Sequence, residues 1–228
     1  SFIPSSAPHS LAHGPYTVDS MADDALALAE HLHLRKFDLL GLSMGGMIAL
    51  KMVTKAPPGN IRRLVLLAST SGSPKPSGPG PLFGAIARRD ELVKELGGED
   101  QYVRYIFSLN FPSKWPEENP QRFQEALALY NKPKRGLRAL MAQSAGLQKF
   151  KAITDEQLRT LPAPVLLITG TEDVIVDPEC SRHIARLAPS SEKHELKHVG
   201  HYLLAQEPDQ CKMLINGFLD RPLALARL

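Results

Sequence analysis

Three residue types that cooperate in nucleophilic catalysis occur along this chain in a fixed order: a serine, then carboxylates, then histidines. The serine is Ser43, set in Gly41-Leu42-Ser43-Met44-Gly45-Gly46. It stands between Asp38-Leu39-Leu40-Gly41-Leu42 and a helix-like stretch, Met47-Ile48-Ala49-Leu50-Lys51-Met52-Val53. The pattern predicts a strand, a sharp turn and a helix, with the hydroxyl at the apex. In such a turn neighbouring backbone crowds the serine, and Gly41 and Gly45, lacking Cβ, are expected to relieve it. A hydroxyl attacks a carbonyl only when a base removes its proton, usually a histidine oriented by a carboxylate.

Candidates for both partners follow. Val165-Leu166-Leu167-Ile168-Thr169 reads as a strand that ends in Gly170-Thr171-Glu172-Asp173, with Asp177 further on. Asp177-Pro178 has the form of a helix cap and first helical residue, which leaves Glu172 and Asp173 for the serine. Of the eight histidines, His194, His198 and His201 cluster near the end. His194 falls on a short strand expected near Lys193 to Leu196, and His198 opens the next loop. His201 follows Gly200, which is expected to let the loop bend back toward the serine. Each member of the set thus lies just beyond a strand.

The elements that must hold them are legible in outline. Thr17 caps a helix on which Val18, Met21, Ala25, Leu28 and Leu32 recur at helical spacing. Strands are expected over Lys36 to Leu42 and Ile61 to Ala68. Both are apolar almost throughout, as parallel strands covered on both faces are. Pro57-Pro58-Gly59-Asn60 stops the intervening helix. A breaker-rich joint, Ser71 to Pro81, opens a segment in which every periodic stretch is helical, including helices entered at Asn119-Pro120 and Thr154-Asp155-Glu156. Strand pattern returns after Pro162-Ala163-Pro164, and a last helix begins near Pro208. The expected organisation is α/β with a mostly parallel sheet: residues 1–73 form a first core part with the serine turn, 74–161 a helical lid, and 162–228 a second core part with acid and histidine.

Bulk properties narrow the function further. At 228 residues and 25.0 kDa, with 43% hydrophobic content, the chain can bury one substantial core. A net charge of +3 and a pI near 8.8 are mild. Arg62-Arg63 and Lys132-Pro133-Lys134-Arg135 are too short to imply nucleic acid and read as solvated surface. The apolar runs are strand-sized, so no membrane span is expected. Cys180 and Cys211 sit on separate predicted helices without metal spacing; a buried reduced pair fits a cytoplasmic setting. Ser1-Phe2-Ile3-Pro4-Ser5-Ser6 lacks the form of a signal peptide, and the absence of an initiator Met is expected of a processed or partial chain.

On these residues the chain resembles the α/β-hydrolases, nearest to the 3-oxoadipate enol-lactonase and aclacinomycin methylesterase-like group. The matching segments are Tyr16-Thr17-Val18, Gly41 to Ala49, Gly170-Thr171-Glu172-Asp173 and Gly200-His201. The resemblance implies Ser43 as nucleophile, His201 as general base, Asp173 as the residue orienting it, and the Met44 N–H as one oxyanion donor. It implies a carboxylic ester or lactone as substrate, and no metal or organic cofactor. A serine rather than an aspartate at the elbow separates this chain from dehalogenases and epoxide hydrolases.

The family's earlier strands and its His-Gly oxyanion loop have no counterpart here; His13-Gly14 follows no strand and reads as coincidence. Without the second donor a rate loss worth about 3 kcal/mol is expected. The strand at Phe37 to Leu42 would form a free edge. A longer native chain, a complementing N-terminal segment, or a homodimer through that edge would complete the sheet. The alternative functions are a weakly active or non-catalytic ligand-binding module, or a hydrolase of thioester, peptide or C–C bonds. Phe83, Tyr102, Tyr105, Phe107, Phe111 and Trp115 either face an apolar substrate or pack the lid's own core.

Overall fold

The computed structural model describes residues 16–75, 80–131 and 145–222. The chain start, His13-Gly14, Ser77-Gly78-Pro79 within the joint, and the Lys132–Arg135 cluster lie outside those residues. Four parallel strands form one sheet in the order β1 (Phe37–Leu42), β2 (Ile61–Leu67), β3 (Val165–Gly170) and β4 (Ser191–Leu196). Helix α1 (Val18–His31) precedes β1, and α2 (Met44–Lys55) links β1 to β2. Between β2 and β3 runs a helical block: α3 (Pro81–Ala87), α4 (Arg89–Leu96), α5 (Glu99–Ser108), α6 (Trp115–Glu118), α7 (Pro120–Asn131) and α8 (Asp155–Arg159). Helix α9 (Pro178–Leu187) connects β3 to β4, after which come α10 (Leu203–Gln206) and α11 (Pro208–Leu219).

Alternate residues of the central strands enter different cores. Leu64, Leu66, Val165 and Leu167 pack with Ala22 of α1, Leu50 and Val53 of α2 and Ile184 of α9. Val65, Leu67, Leu166 and Ile168 pack with Leu203 and with Cys211 and Phe218 of α11. This double coverage is why β2 and β3 are apolar at nearly every position. Each fully buried leucine contributes about 2 kcal/mol by removal from water.

The strand register sets the site. Leu42 pairs with Leu67, Leu67 with Ile168, and Gly170 with Leu196, so the carboxyl ends of all four strands lie along one rim. Ser43, Asp173 and His201 each follow a strand at that rim.

Among the described residues two edges bound the sheet, and they differ in chemistry. Strand β4, Ser-Glu-Lys-His-Glu-Leu, is laced with charge: Arg182 of α9 forks onto Glu195, Lys193 also reaches Glu195, and Arg221 reaches Glu192. On β1 the residues are apolar apart from Asp38, which Arg62 and Arg63 neutralise, and Leu40 is about half exposed.

Helix α1 departs from the sequence pattern. Its Thr17–Ser20 capping box is present, but its buried residues are Val18, Ala22 and Ala29, with Ala25 and Leu26 alongside. Leu28 and Leu32 are exposed, at 57% and 55%. The inward stripe of α1 therefore runs through Val18, Ala22, Ala25, Leu26 and Ala29, and Leu28 and Leu32 fall outside it.

The aromatic residues of the helical block divide between packing and surface. Phe107, Phe111 and Trp115 join Phe123 in a core to which Tyr130 and Tyr202 add. Phe111 stacks on Trp115 at 4.6 Å, and Phe107 meets Tyr202 edge-on at 5.6 Å. Tyr102 is buried with Ala85 and Leu92. Only Phe83 and Tyr105 of the six stand at the surface. The ring cluster therefore packs the block and joins it to the segment after β4.

Candidate active site

Ser43 sits between β1 and α2 with φ 53° and ψ −120°, a conformation that side-chain-bearing residues avoid. Four hydrogen bonds hold it there. Its N–H donates to the Leu67 carbonyl at 2.8 Å, continuing the β1–β2 ladder. Its carbonyl accepts from Gly46 N–H at 2.9 Å, from Met47 N–H at 3.3 Å and from Ser69 Oγ at 2.7 Å.

Of the two glycines that the sequence pattern indicates, one is sterically required and the other is not. A Cβ on Gly41 would lie closer than 3.0 Å to the Gly45 carbonyl, so Gly41 behaves as expected. A Cβ on Gly45 would meet nothing within 4 Å among the described residues. Gly46 takes the second steric role, because its Cβ would collide with the buried Ser69 side chain. The turn is crowded from β1 and from the residues after β2, and Gly45 points to neither.

Asp173 follows β3 in a tight turn. Its Oδ1 accepts from the Ile175 and Val176 amides at 2.8 and 2.9 Å, and Oδ2 lies 2.8 Å from His201 Nδ1. The carboxyl side chain is fully buried, and the imidazole is 7% exposed. His201 Nε2 lies 2.9 Å from Ser43 Oγ. One imidazole thus bridges hydroxyl and carboxylate, each contact within hydrogen-bond range. A ring held at both nitrogens in this way can accept a proton from the hydroxyl while the carboxylate favours the resulting cation.

The other candidates fall elsewhere. Glu172 pairs instead with the exposed His198, its Oε1 3.0 Å from Nδ1. Asp177 caps α9 by accepting from Glu179 N–H. His194 lies on β4 beside Glu192. Met44 is the first residue of α2, where the amide has no intrahelical acceptor. No group of three or more His, Cys, Asp or Glu among the described residues is arranged to hold a metal ion. No described helix is long and apolar enough to cross a membrane.

Acid turn and histidine loop are zipped together. Thr171 N–H donates to Leu196 O and Glu172 N–H to Val199 O, both at 2.9 Å, while Thr171 Oγ1 accepts from His198 N–H. Gly170 has no room for a Cβ against the Val199 and Gly200 carbonyls. Gly200 serves closeness rather than bending: the left-handed residue of the loop is His198, at φ 59°. A Cβ on Gly200 would lie 2.7 Å from the Asn110 carbonyl and 3.0 Å from Phe111 Cα. Tyr202 N–H donates to that same Asn110 carbonyl at 2.9 Å. Arg122 of α7 reaches the Ala205 and Gln206 carbonyls at 2.8 and 2.7 Å. The helical block is thereby fastened to the residues that carry His201. Sequence reasoning misses Ser69, Asn110, Arg122 and Gln206, since each acts through a tertiary contact that no local motif marks.

Comparison with known proteins bears on the fold and the family. The chain is 29% identical over 202 residues to a putative carbamate hydrolase RutD of Agrobacterium fabrum, covering 89% of this chain and 74% of the relative. It is 25% identical over 225 residues to 2-hydroxymuconate semialdehyde hydrolase of Pseudomonas putida, covering 94% and 73%. The structure of the esterase RhEst1 from Rhodococcus sp. ECU1013 superposes with a TM-score of 0.71 at 22% identity, covering 92% of this chain and 75% of that one. A family model described as the alpha/beta hydrolase fold matches residues 2–208, and the chain belongs to that family of hydrolases.

Proposed function

We propose that this hydrolase cleaves a carboxylic ester or lactone through an acyl-enzyme on Ser43. The observation that carries the reading is the His201 imidazole, 2.9 Å from the Ser43 hydroxyl and 2.8 Å from Asp173. In the first half-reaction Ser43 Oγ attacks the carbonyl carbon as His201 Nε2 takes the hydroxyl proton. Asp173 stabilises the imidazolium, and the Ile175 and Val176 amides that donate to its Oδ1 keep its other oxygen aimed at the ring. The Met44 N–H and the positive end of the α2 dipole face the developing oxyanion. His201 then passes its proton to the leaving oxygen, and water activated by the same ring releases the acid.

The helical block acts as a lid whose ring cluster holds it to the histidine loop. A second reading keeps Ser43, His201 and Asp173 in the same roles and changes the bond. Support for it comes from the relatives, whose names include a carbamate hydrolase and a semialdehyde hydrolase.

Treatment of folded protein with a fluorophosphonate, followed by peptide mass analysis, tests the common core of both readings. Label on Ser43 is the expected result; an intact, folded chain left unlabelled there overturns it. A panel of p-nitrophenyl esters, lactones and carbamates then separates the two.

A further inference from the structure

We infer that Gln206 is a positioning residue for His201; the inference rests on the serine-hydrolase reading above. Gln206 is the last residue of α10 and is 2% exposed, deep for an amide side chain. Its Oε1 accepts from the Gly200 N–H at 3.1 Å. Its Nε2 is buried and has no hydrogen-bond partner among the described residues. A buried amide with one idle end is an unfavourable thing to keep unless its other end is needed.

The need is at Gly200. That residue immediately precedes His201 and, as a glycine, has the widest backbone freedom of any residue type. On one side the Asn110–Phe111 backbone lies against it. On the other its amide is anchored by Gln206, five residues beyond the histidine. Gln206 is itself fixed from the helical block, where Arg122 donates to its carbonyl and to that of Ala205. The loop that presents the imidazole is therefore closed into a ring by one side-chain hydrogen bond. Releasing it frees the one amide next to His201 while the bonds at Thr171, Val199 and Tyr202 remain on either side, and small misplacements of a base slow attack steeply.

Three variants test this. Gln206→Met removes the acceptor at similar volume. Gln206→Asn keeps an amide that is one methylene too short to reach. Gln206→Glu keeps the acceptor and discards the idle NH2. The rate of Ser43 labelling by a fluorophosphonate is expected to fall at least about tenfold in the Met and Asn variants and to stay within about threefold in Gln206→Glu. With a p-nitrophenyl ester the loss should appear in kcat and leave KM nearly unchanged. Hydrogen exchange at the Gly200 amide should quicken in the first two variants and not in the third, a readout that needs no activity.

Wild-type labelling by folded Gln206→Met or Gln206→Asn overturns the inference, as does a Gln206→Glu protein as slow as they are. Should Gln206→Met fail to fold, the comparison of Asn with Glu decides. If the wild-type protein itself takes no label on Ser43, the hydrolase reading fails and this inference with it. If the wild type labels and the variants match it, this inference alone fails.

Discussion

Ser69 Oγ donates a 2.7 Å hydrogen bond to the carbonyl oxygen of Ser43, and the same side chain fills the space a Cβ on Gly46 would need. The strained serine is thus held by a residue just beyond the neighbouring strand as well as by its own helix. Gly46 is where that brace demands a glycine.

It follows that the three glycines of the turn respond differently to alanine. Gly41→Ala and Gly46→Ala force backbone or a buried side chain to move and are expected to cost at least about 2 kcal/mol. Gly45→Ala meets open space, and stability within about 1 kcal/mol of wild type is expected. Urea unfolding of the three variants checks the ranking; a Gly45→Ala protein as unstable as Gly46→Ala would refute it.

Asp173→Asn tests the orienting role without disturbing the turn. The retained Oδ1 can still accept from the Ile175 and Val176 amides, so the melting temperature should change little. The new Nδ2 would face His201 Nδ1 and select the wrong tautomer, for which a loss of about 10³ to 10⁴ in kcat is expected. Steady-state kinetics on an ester, alongside a thermal melt, distinguishes this from simple unfolding.

Acid sensitivity is expected at the β4 edge. Hydrogen bonds from Arg182, and then from Lys193, hold the Glu195 carboxyl down at about 2, against 4.5 for a free glutamate. A carboxyl lowered on folding stabilises the protein fully above its free value, and that contribution fades as pH drops toward 2. The pair is partly exposed, so its worth at neutral pH is at most about 1 kcal/mol. Arg182→Met should lower stability in urea at neutral pH, and the gap from wild type should close as the medium is acidified through that range.

Both thiols should be silent in the folded protein. Burial pushes Cys211 up to about 11 and raises Cys180 as well. The two are free and buried, on α11 and α9. An aromatic disulfide reagent at mildly alkaline pH is expected to titrate neither in the native state and both in denaturant. Rapid native-state reaction at Cys211 would contradict this.

Much of the scaffold was legible because its signals are local. Thr17, Thr154 and Asp177 cap the helices that they appear to cap, and the doubly apolar runs at 61–67 and 165–170 are the central strands. Ser43, Asp173 and His201 could be picked out since each follows a strand end, and parallel strands bring such ends together. What escaped depends on distant partners. The exposure of Leu28 and Leu32 follows from which stripe of α1 meets its neighbours, and the idleness of Gly45 from which backbone crosses the turn. Neither quantity is encoded in periodicity. The ring cluster was half legible: its aromatic content was plain, but Tyr202, which ties it to the histidine loop, lies far away in sequence.

The contrast between the two borders of the sheet sets the direction in which this molecule can grow. At β4 the border is lined by arginine, lysine and glutamate side chains, a charge density of the kind that discourages edge-to-edge pairing. At β1, whose outer side has no strand partner among the described residues, Leu40 is about half exposed and the one charged residue, Asp38, is paired with Arg62 and Arg63. A further strand, whatever chain supplied it, would meet less charge on the side next to Ser43 than on the far side.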